Sequence, residues 1–185
     1  MMTMEAVQSS SQHHRRSDIT STTDLQNILS NCKECQKITL KGKLILPHSE
    51  LPNIKLKKLG KRIKYCLTVC SKRQGIGHWF TIITNNQTKK AFLLNGLRTV
   101  HFNKILKANI NLFCKINDLK LVDLSFPYQK KESLNCGRLA MYMVYKAHST
   151  STKKFLAFRK MMLNNNDTTN EIHMIKEMKK HFKLK

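Results

Sequence analysis

Acidic residues are scarce in this chain: eleven Asp and Glu stand against thirty-four Lys and Arg, a formal charge of +23 over 185 residues. The excess runs through the whole length instead of sitting in one tail. Such a surface is expected to attract polyanions, nucleic acid first, with an affinity that falls as salt rises. The competing reading is a basic surface that binds nothing, since charge governs association and not fold. Long apolar runs are also missing. No stretch reaches the length of a transmembrane helix, so no membrane span or membrane partner is expected. The opening segment "MMTMEAVQSSSQHHRRSDITSTTD" lacks the apolar centre of a signal peptide, so a secreted protein is not expected either. In a reducing compartment Cys32, Cys35, Cys66, Cys70, Cys114 and Cys136 would be thiols, metal ligands or catalytic groups before they were disulfides.

What is present suits one globular domain. Apolar residues make up 41% of the chain, enough for a real core. Residues 1–22 have almost nothing large and apolar and are expected to be a disordered tail. The domain is expected over 23–185, with 151–185 a basic helical extension packed on it. "STTDLQNILSN" carries Thr23 or Asp24 as a cap and Leu25, Ile28 and Leu29 at helical spacing. "ITLKGKLIL" and "KRIKYCLTVC" read as strands separated by a Pro-marked loop, "PHSELPNIK". "HWFTIITNNQTKKAFLLNG" reads as a hairpin turning at Asn86 and Gln87, and "LKLVDLSF" as a further strand.

From Cys136 to about Ala147 the apolar positions fall on one side of a helix, Leu139, Ala140, Met143, Val144 and Ala147. "TKKFLAFRKMML" and "EIHMIKEMKKHFKLK" continue as helices. The second has cap candidates from Asp167 to Asn170 and a stripe of Ile172, Ile175, Met178 and Phe182 opposite lysines. A core-facing stripe with a solvated charged face explains that pattern better than a membrane or nucleic-acid helix. The class is α+β, and there is no internal repeat.

The chemistry gathers in four residues. With Asn86 and Gln87 at the turn, His78 falls opposite Asn95, at about 4.5–5.5 Å between Cβ atoms for a directly opposed pair. An amide oxygen there accepts from the imidazole and leaves the other ring nitrogen as a base. A one-residue slip would break the pair. Cys136 opens a helix behind Ser133 and Asn135 as caps, where the helix N-terminus and a nearby His78 favour a thiolate–imidazolium pair. Gly137 bares the backbone beside the sulfur, and first-turn N–H groups with Gln129 make candidate oxyanion donors. Each residue alone is ordinary: a Cys at a helix start usually packs, and a lone His usually satisfies a carbonyl. Four of them at the ends of the right elements are harder to obtain by chance.

"GIGHWFTIITNNQTKKAFLLNG" and "PYQKKESLNCGRLAMY" together resemble the adenovirus-protease (adenain) type of cysteine peptidase, of the same clan as the SUMO- and ubiquitin-like-specific proteases. The resemblance covers roughly residues 23 to 148. It implies a central mixed or antiparallel sheet, a nucleophile-bearing central helix and flanking helices. It also implies His78 as base, Asn95 as its orienting partner, Gln129 as oxyanion donor and Cys136 as nucleophile. Asn95 departs from the pattern, where Asp or Glu is usual; a neutral amide fixes the ring but stabilises imidazolium less. The residue before the nucleophile, Asn135, is often Asp in the cellular relatives. Trp79 is expected to pack.

By the same resemblance the expected substrates are viral precursor proteins cut at glycine-containing sites, in the host nucleus or the virion. DNA is expected as activator or track, a peptide activator is left open, and no metal or organic cofactor is required. A structural zinc on Cys32, Cys35, Cys66 and Cys70 is disfavoured, because the second pair lies along a strand. Two other readings use the same residues: a deconjugating protease for a ubiquitin-like modifier, and a catalytically silent basic DNA-binding virion protein on the same fold.

Overall fold

The computed structural model describes residues 23, 25, 27, 45–59, 64–71, 77–97, 102–131 and 133–182, the side chain of residue 148 excepted. The expected tail 1–22, both N-terminal cysteines and the first seven residues of "ITLKGKLIL" lie outside them. Five strands form one mixed sheet in sequence order, so chain connectivity and sheet neighbourhood coincide. They are β1 (Ile45–Pro47), β2 (Lys64–Cys70), β3 (Trp79–Asn85), β4 (Lys90–Leu94) and β5 (Lys120–Asp123). The three central strands are antiparallel neighbours, and each edge strand joins in parallel. The fold is α+β.

Period-2 alternation sends each strand's side chains to two different cores. Tyr65, Leu67 and Val69 of β2, Phe80 and Ile82 of β3, and Ala91 and Leu93 of β4 meet helix α1 (Lys104–Ile116) through its Leu106, Ile110, Phe113 and Cys114. Cys66 and Cys70, Trp79 and Ile83, and Leu94 face helix α2 (Cys136–Ser149) on the other side. Leu25, which is helical and wholly buried, joins this second core. So do Phe155 and Met162 of helix α3 (Thr152–Leu163) and Met174, Met178 and Phe182 of helix α4 (Asp167–Phe182).

α2 is buried on all sides where the sequence predicts one apolar side: Leu139 to Val144 are each at most 1% exposed. The cause is the layer of α3 and α4 over its outer surface, where the Tyr142 ring meets Phe158 of α3, while the sheet covers the opposite side. On the sheet side Thr81 Oγ1 donates to the Ala140 carbonyl at 3.0 Å, and Thr68 Oγ1 to the Met141 sulfur at 3.3 Å. These buried hydroxyls set where α2 lies along β2 and β3.

Other expectations are corrected. "PHSELPNIK" is largely a 3-10 helix, His48–Asn53, followed by a second at Leu56–Leu59. The hairpin closes on the pair Asn85 and Lys90, with four residues in the turn and Lys89 at φ 53°, so the two-residue turn at Asn86 and Gln87 is wrong. Asn85 Oδ1 accepts from the Gln87 and Thr88 N–H groups, and this Asx-type turn competes with the tighter one. α1 lies outside the elements expected from sequence, although Leu106, Ile110 and Phe113 at i, i+4 and i+7 form a regular buried stripe behind an Asn103 cap. α4 is capped by Asn166, whose Oδ1 accepts from Thr169 N–H at 2.8 Å, one residue before the expected candidates. Ile172, expected in its buried stripe, is 60% exposed; Met174 takes that place.

After β5 the segment Phe126–Gln129 runs beside the end of β4. Phe126 N–H donates to the Asn95 carbonyl and Tyr128 N–H to the Gly96 carbonyl, both at 3.3 Å. The Tyr128 ring lies flat on Gly96, where a Cβ would come within 2.5 Å of it. Gly96→Ala should therefore force the ring off and cost about 1–3 kcal/mol, as overpacking does. A lowered urea midpoint at unchanged slope checks it; an unchanged midpoint would mean that the segment adapts freely.

Candidate functional site

His78 precedes β3 and is held by its backbone before its ring is considered. Its N–H donates to Ser71 Oγ at 2.8 Å, and its carbonyl accepts from Ser71 N–H at 2.8 Å. Asn95 follows β4, with its N–H on Ser125 Oγ at 3.1 Å. The Nε2 of His78 lies 2.7 Å from Asn95 Oδ1. The contact expected from sequence is present, but not by direct opposition. The true register displaces the partners by two residues, which keeps the face and leaves His78 diagonal to Asn95, within reach of long side chains.

The amide of Asn95 is oriented by its own turn. Oδ1 accepts from Leu97 N–H and Nδ2 donates to the Leu97 carbonyl, each at 3.2 Å. The oxygen is thereby committed to the His78 side, so Nε2 is the protonated nitrogen and Nδ1 carries the lone pair. An Asp at this position has no donor for the Leu97 carbonyl, which is a structural reason for the amide.

Cys136 begins α2, half-buried, and the backbone N–H groups of Trp79, Gly137 and Cys136 itself favour negative charge on its sulfur. The first of these is the residue after His78, so nucleophile candidate and base candidate meet at one point of β3. The Trp79 ring packs into the α2-side core, 7% exposed. Its functional contribution is a backbone N–H, which side-chain reasoning cannot find.

Neither expected cap holds the helix start. Asn135, the N-cap residue, makes no side-chain cap bond; its Nδ2 donates to Glu171 Oε1 at 3.1 Å. Ser133 Oγ accepts from Asn135 N–H at 3.1 Å instead of reaching into α2. Gln129, 3% exposed, donates from Nε2 to the Ser133 carbonyl at 3.1 Å, which uses one of its two amide protons. Its Oε1 is buried without a hydrogen-bond partner.

Burial at the site works against the expected thiolate–imidazolium pair. Burial pushes the Cys136 thiol above its ordinary range, and nearby Cys70 adds to this; the three backbone N–H groups only partly offset it. Burial also lowers the His78 pKa, against the opposing pull of Asn95. Burial disfavours the charged form of each group, and the partner that holds His78 is an uncharged amide. Two other described thiols are buried as well. Burial pushes Cys66 up to about 12 and Cys114 to about 11. Among the described residues no three His, Cys, Asp or Glu side chains converge as a metal site, and no helix is long and apolar enough to cross a membrane.

No protein-family model matches the chain, and no curated protein does. Among solved structures it is similar to a de-sumoylating protease, at TM-score 0.45 and 14% identity over 88% of this chain and 70% of that one. It is also similar to the SUMO protease Ulp1 with its catalytic cysteine oxidised to a sulfinic acid, at TM-score 0.40 and 14% identity over 78% of this chain and 77% of that one.

The neutral resting pair makes a pH prediction. Alkylation needs thiolate, and a raised pKa leaves less of it at a given pH, so iodoacetamide labelling of Cys136 should keep climbing through pH 9. Asn95→Asp should raise the His78 pKa, lower that of Cys136 and speed labelling at pH 6–7 by about tenfold. Loss of the donor to Leu97 should cost that variant about 1 kcal/mol of stability. A wild-type rate that levels off below pH 7 would contradict the neutral pair.

Proposed function

We propose that the chain is a cysteine endopeptidase working by a Cys-His-Asn mechanism with a Gln oxyanion donor. One observation carries the reading: at the first turn of α2 the Cys136 sulfur meets the strand that bears His78, whose ring is held by Asn95 at 2.7 Å. His78 Nδ1 takes the thiol proton as Cys136 Sγ attacks the substrate carbonyl carbon, so charge appears only during the reaction. The carbonyl oxygen becomes an oxyanion, stabilised by the uncommitted Gln129 amide proton and by N–H groups at the α2 start. His78 then delivers the proton to the leaving amine, the peptide C–N bond breaks, and water hydrolyses the thioester.

The silent-protein alternative rested on Asn95 lacking a charge. Its oxygen makes the orienting bond to His78, which favours an active site. Viral precursors cut at glycine-containing sites as substrates, and the nucleus or virion as the place of action, rest on the sequence resemblance. DNA as activator has the same support, with the +23 charge beside it.

The test is a peptide library digested by the purified chain and read as new termini by mass spectrometry. Wild type should cut after glycine-containing motifs, and Cys136→Ser should lose on the order of 10⁴-fold or more of the rate. Termini that persist in Cys136→Ser would sink the proposal. Duplex DNA should bind both proteins alike, with affinity falling at least about tenfold between 50 and 200 mM salt. Cleavage that is unchanged by DNA would remove its role as activator.

A further inference from the structure

Helix α4 brings a buried carboxylate to the segment that precedes Cys136. Glu171 is 5% exposed, and its Oε2 accepts from Lys130 N–H at 2.7 Å. Its Oε1 accepts from Asn135 Nδ2 at 3.1 Å and from the Ser133 hydroxyl. That hydroxyl oxygen accepts from Asn135 N–H, and the Ser133 carbonyl accepts from Gln129 Nε2, both at 3.1 Å. One acceptor-only group thus gathers three donors from a single loop whose ends are Gln129 and Cys136. Next to it, Asn170 Nδ2 donates to the Pro127 carbonyl at 2.6 Å and the Met162 carbonyl at 2.8 Å, a second tie to the same chain segment.

The partner chosen for Asn135 matters most. Asn at an N-cap ordinarily turns its side-chain oxygen back onto the first-turn N–H groups. With its side chain drawn to Glu171, those groups stay directed at the sulfur.

We propose that Glu171 is a positioning residue: its carboxylate sets the loop 130–135 so that the Gln129 amide and the α2 first-turn N–H groups face the developing oxyanion. The proposal rests on the peptidase reading and deepens it. Glu171 itself touches no substrate. In Glu171→Gln one oxygen becomes an NH2, which opposes a donor, Lys130 N–H or Asn135 Nδ2, and frees one end of the loop.

The experiment compares two reagents on the full chain. Acetyl-glycyl-glycinal forms a thiohemiacetal on Cys136, whose oxygen calls on the oxyanion donors; iodoacetamide alkylates the same sulfur without forming an oxyanion. Glu171→Gln should bind the aldehyde at least about tenfold more weakly and show a clearly smaller loss toward iodoacetamide, since the first-turn N–H groups also favour the thiolate. Glu171→Asp should recover part of the aldehyde binding. Equal aldehyde binding by wild type and Glu171→Gln would overturn the proposal while leaving the peptidase reading intact. Equal losses toward both reagents would also overturn it, marking Glu171 as a general support of the fold. Wild type that binds no aldehyde would overturn the peptidase reading, and this proposal with it. Should Glu171→Gln not fold, Ser133→Ala removes only the hydroxyl's two bonds, to Glu171 and from Asn135 N–H, and carries the same comparison, and aldehyde binding unchanged there would overturn the proposal.

Discussion

The burial of α2 between the sheet and the C-terminal helices is the constraint on which the other features depend. Because Leu139 to Val144 are covered on every side, α2 has one place and one rotation, fixed further by the Thr68 and Thr81 hydroxyls. That placement delivers Cys136 to the start of β3. Without it, His78 and Asn95 would still pair through the hairpin, but they would have no thiol beside them. The chemistry is thus a product of packing: a helix end brought to a strand end.

The same burial sets the electrostatics. Burial pushes the Cys136 thiol up and the His78 imidazole down, and the partner that holds His78 is an amide without charge. Both shifts favour a neutral pair, which is less exposed to adventitious alkylation and oxidation than a standing thiolate, because the thiolate is the reactive form. In the proposed mechanism proton transfer then accompanies attack and more is asked of the oxyanion donors, and the loop proposed to supply them is held by Glu171 and Asn170 of α4.

The C-terminal region holds more than its composition announces. α4 packs Met174, Met178 and Phe182 inward and turns lysines outward, as a core-facing stripe with a charged face should, yet its first turns also contain a wholly buried Asn and a 5% exposed Glu. Their role lies in hydrogen bonds to residues some forty positions earlier. No periodicity in α4 announces such partners. α1 is the complementary case, a helix absent from the expected elements although its buried stripe of Leu106, Ile110 and Phe113 is regular.

The sequence by itself determined the strands, the hairpin, the helix behind Cys136 and the four residues in which chemistry could gather, because those features follow from local alternation, helical spacing and motif order. It also led to His78 and Asn95 as partners. The hairpin register assumed for them was two residues off, a shift that preserves the face of the sheet and so preserves the contact. Tertiary structure alone decided the rest: the four-residue turn, the all-round burial of α2, the Trp79 N–H on the sulfur, the neutral state of the pair and the clamp from Glu171. These depend on which distant groups come together and how much water they exclude. Such information is held in no short window of the chain, since burial and long-range hydrogen bonds are properties of the packed whole.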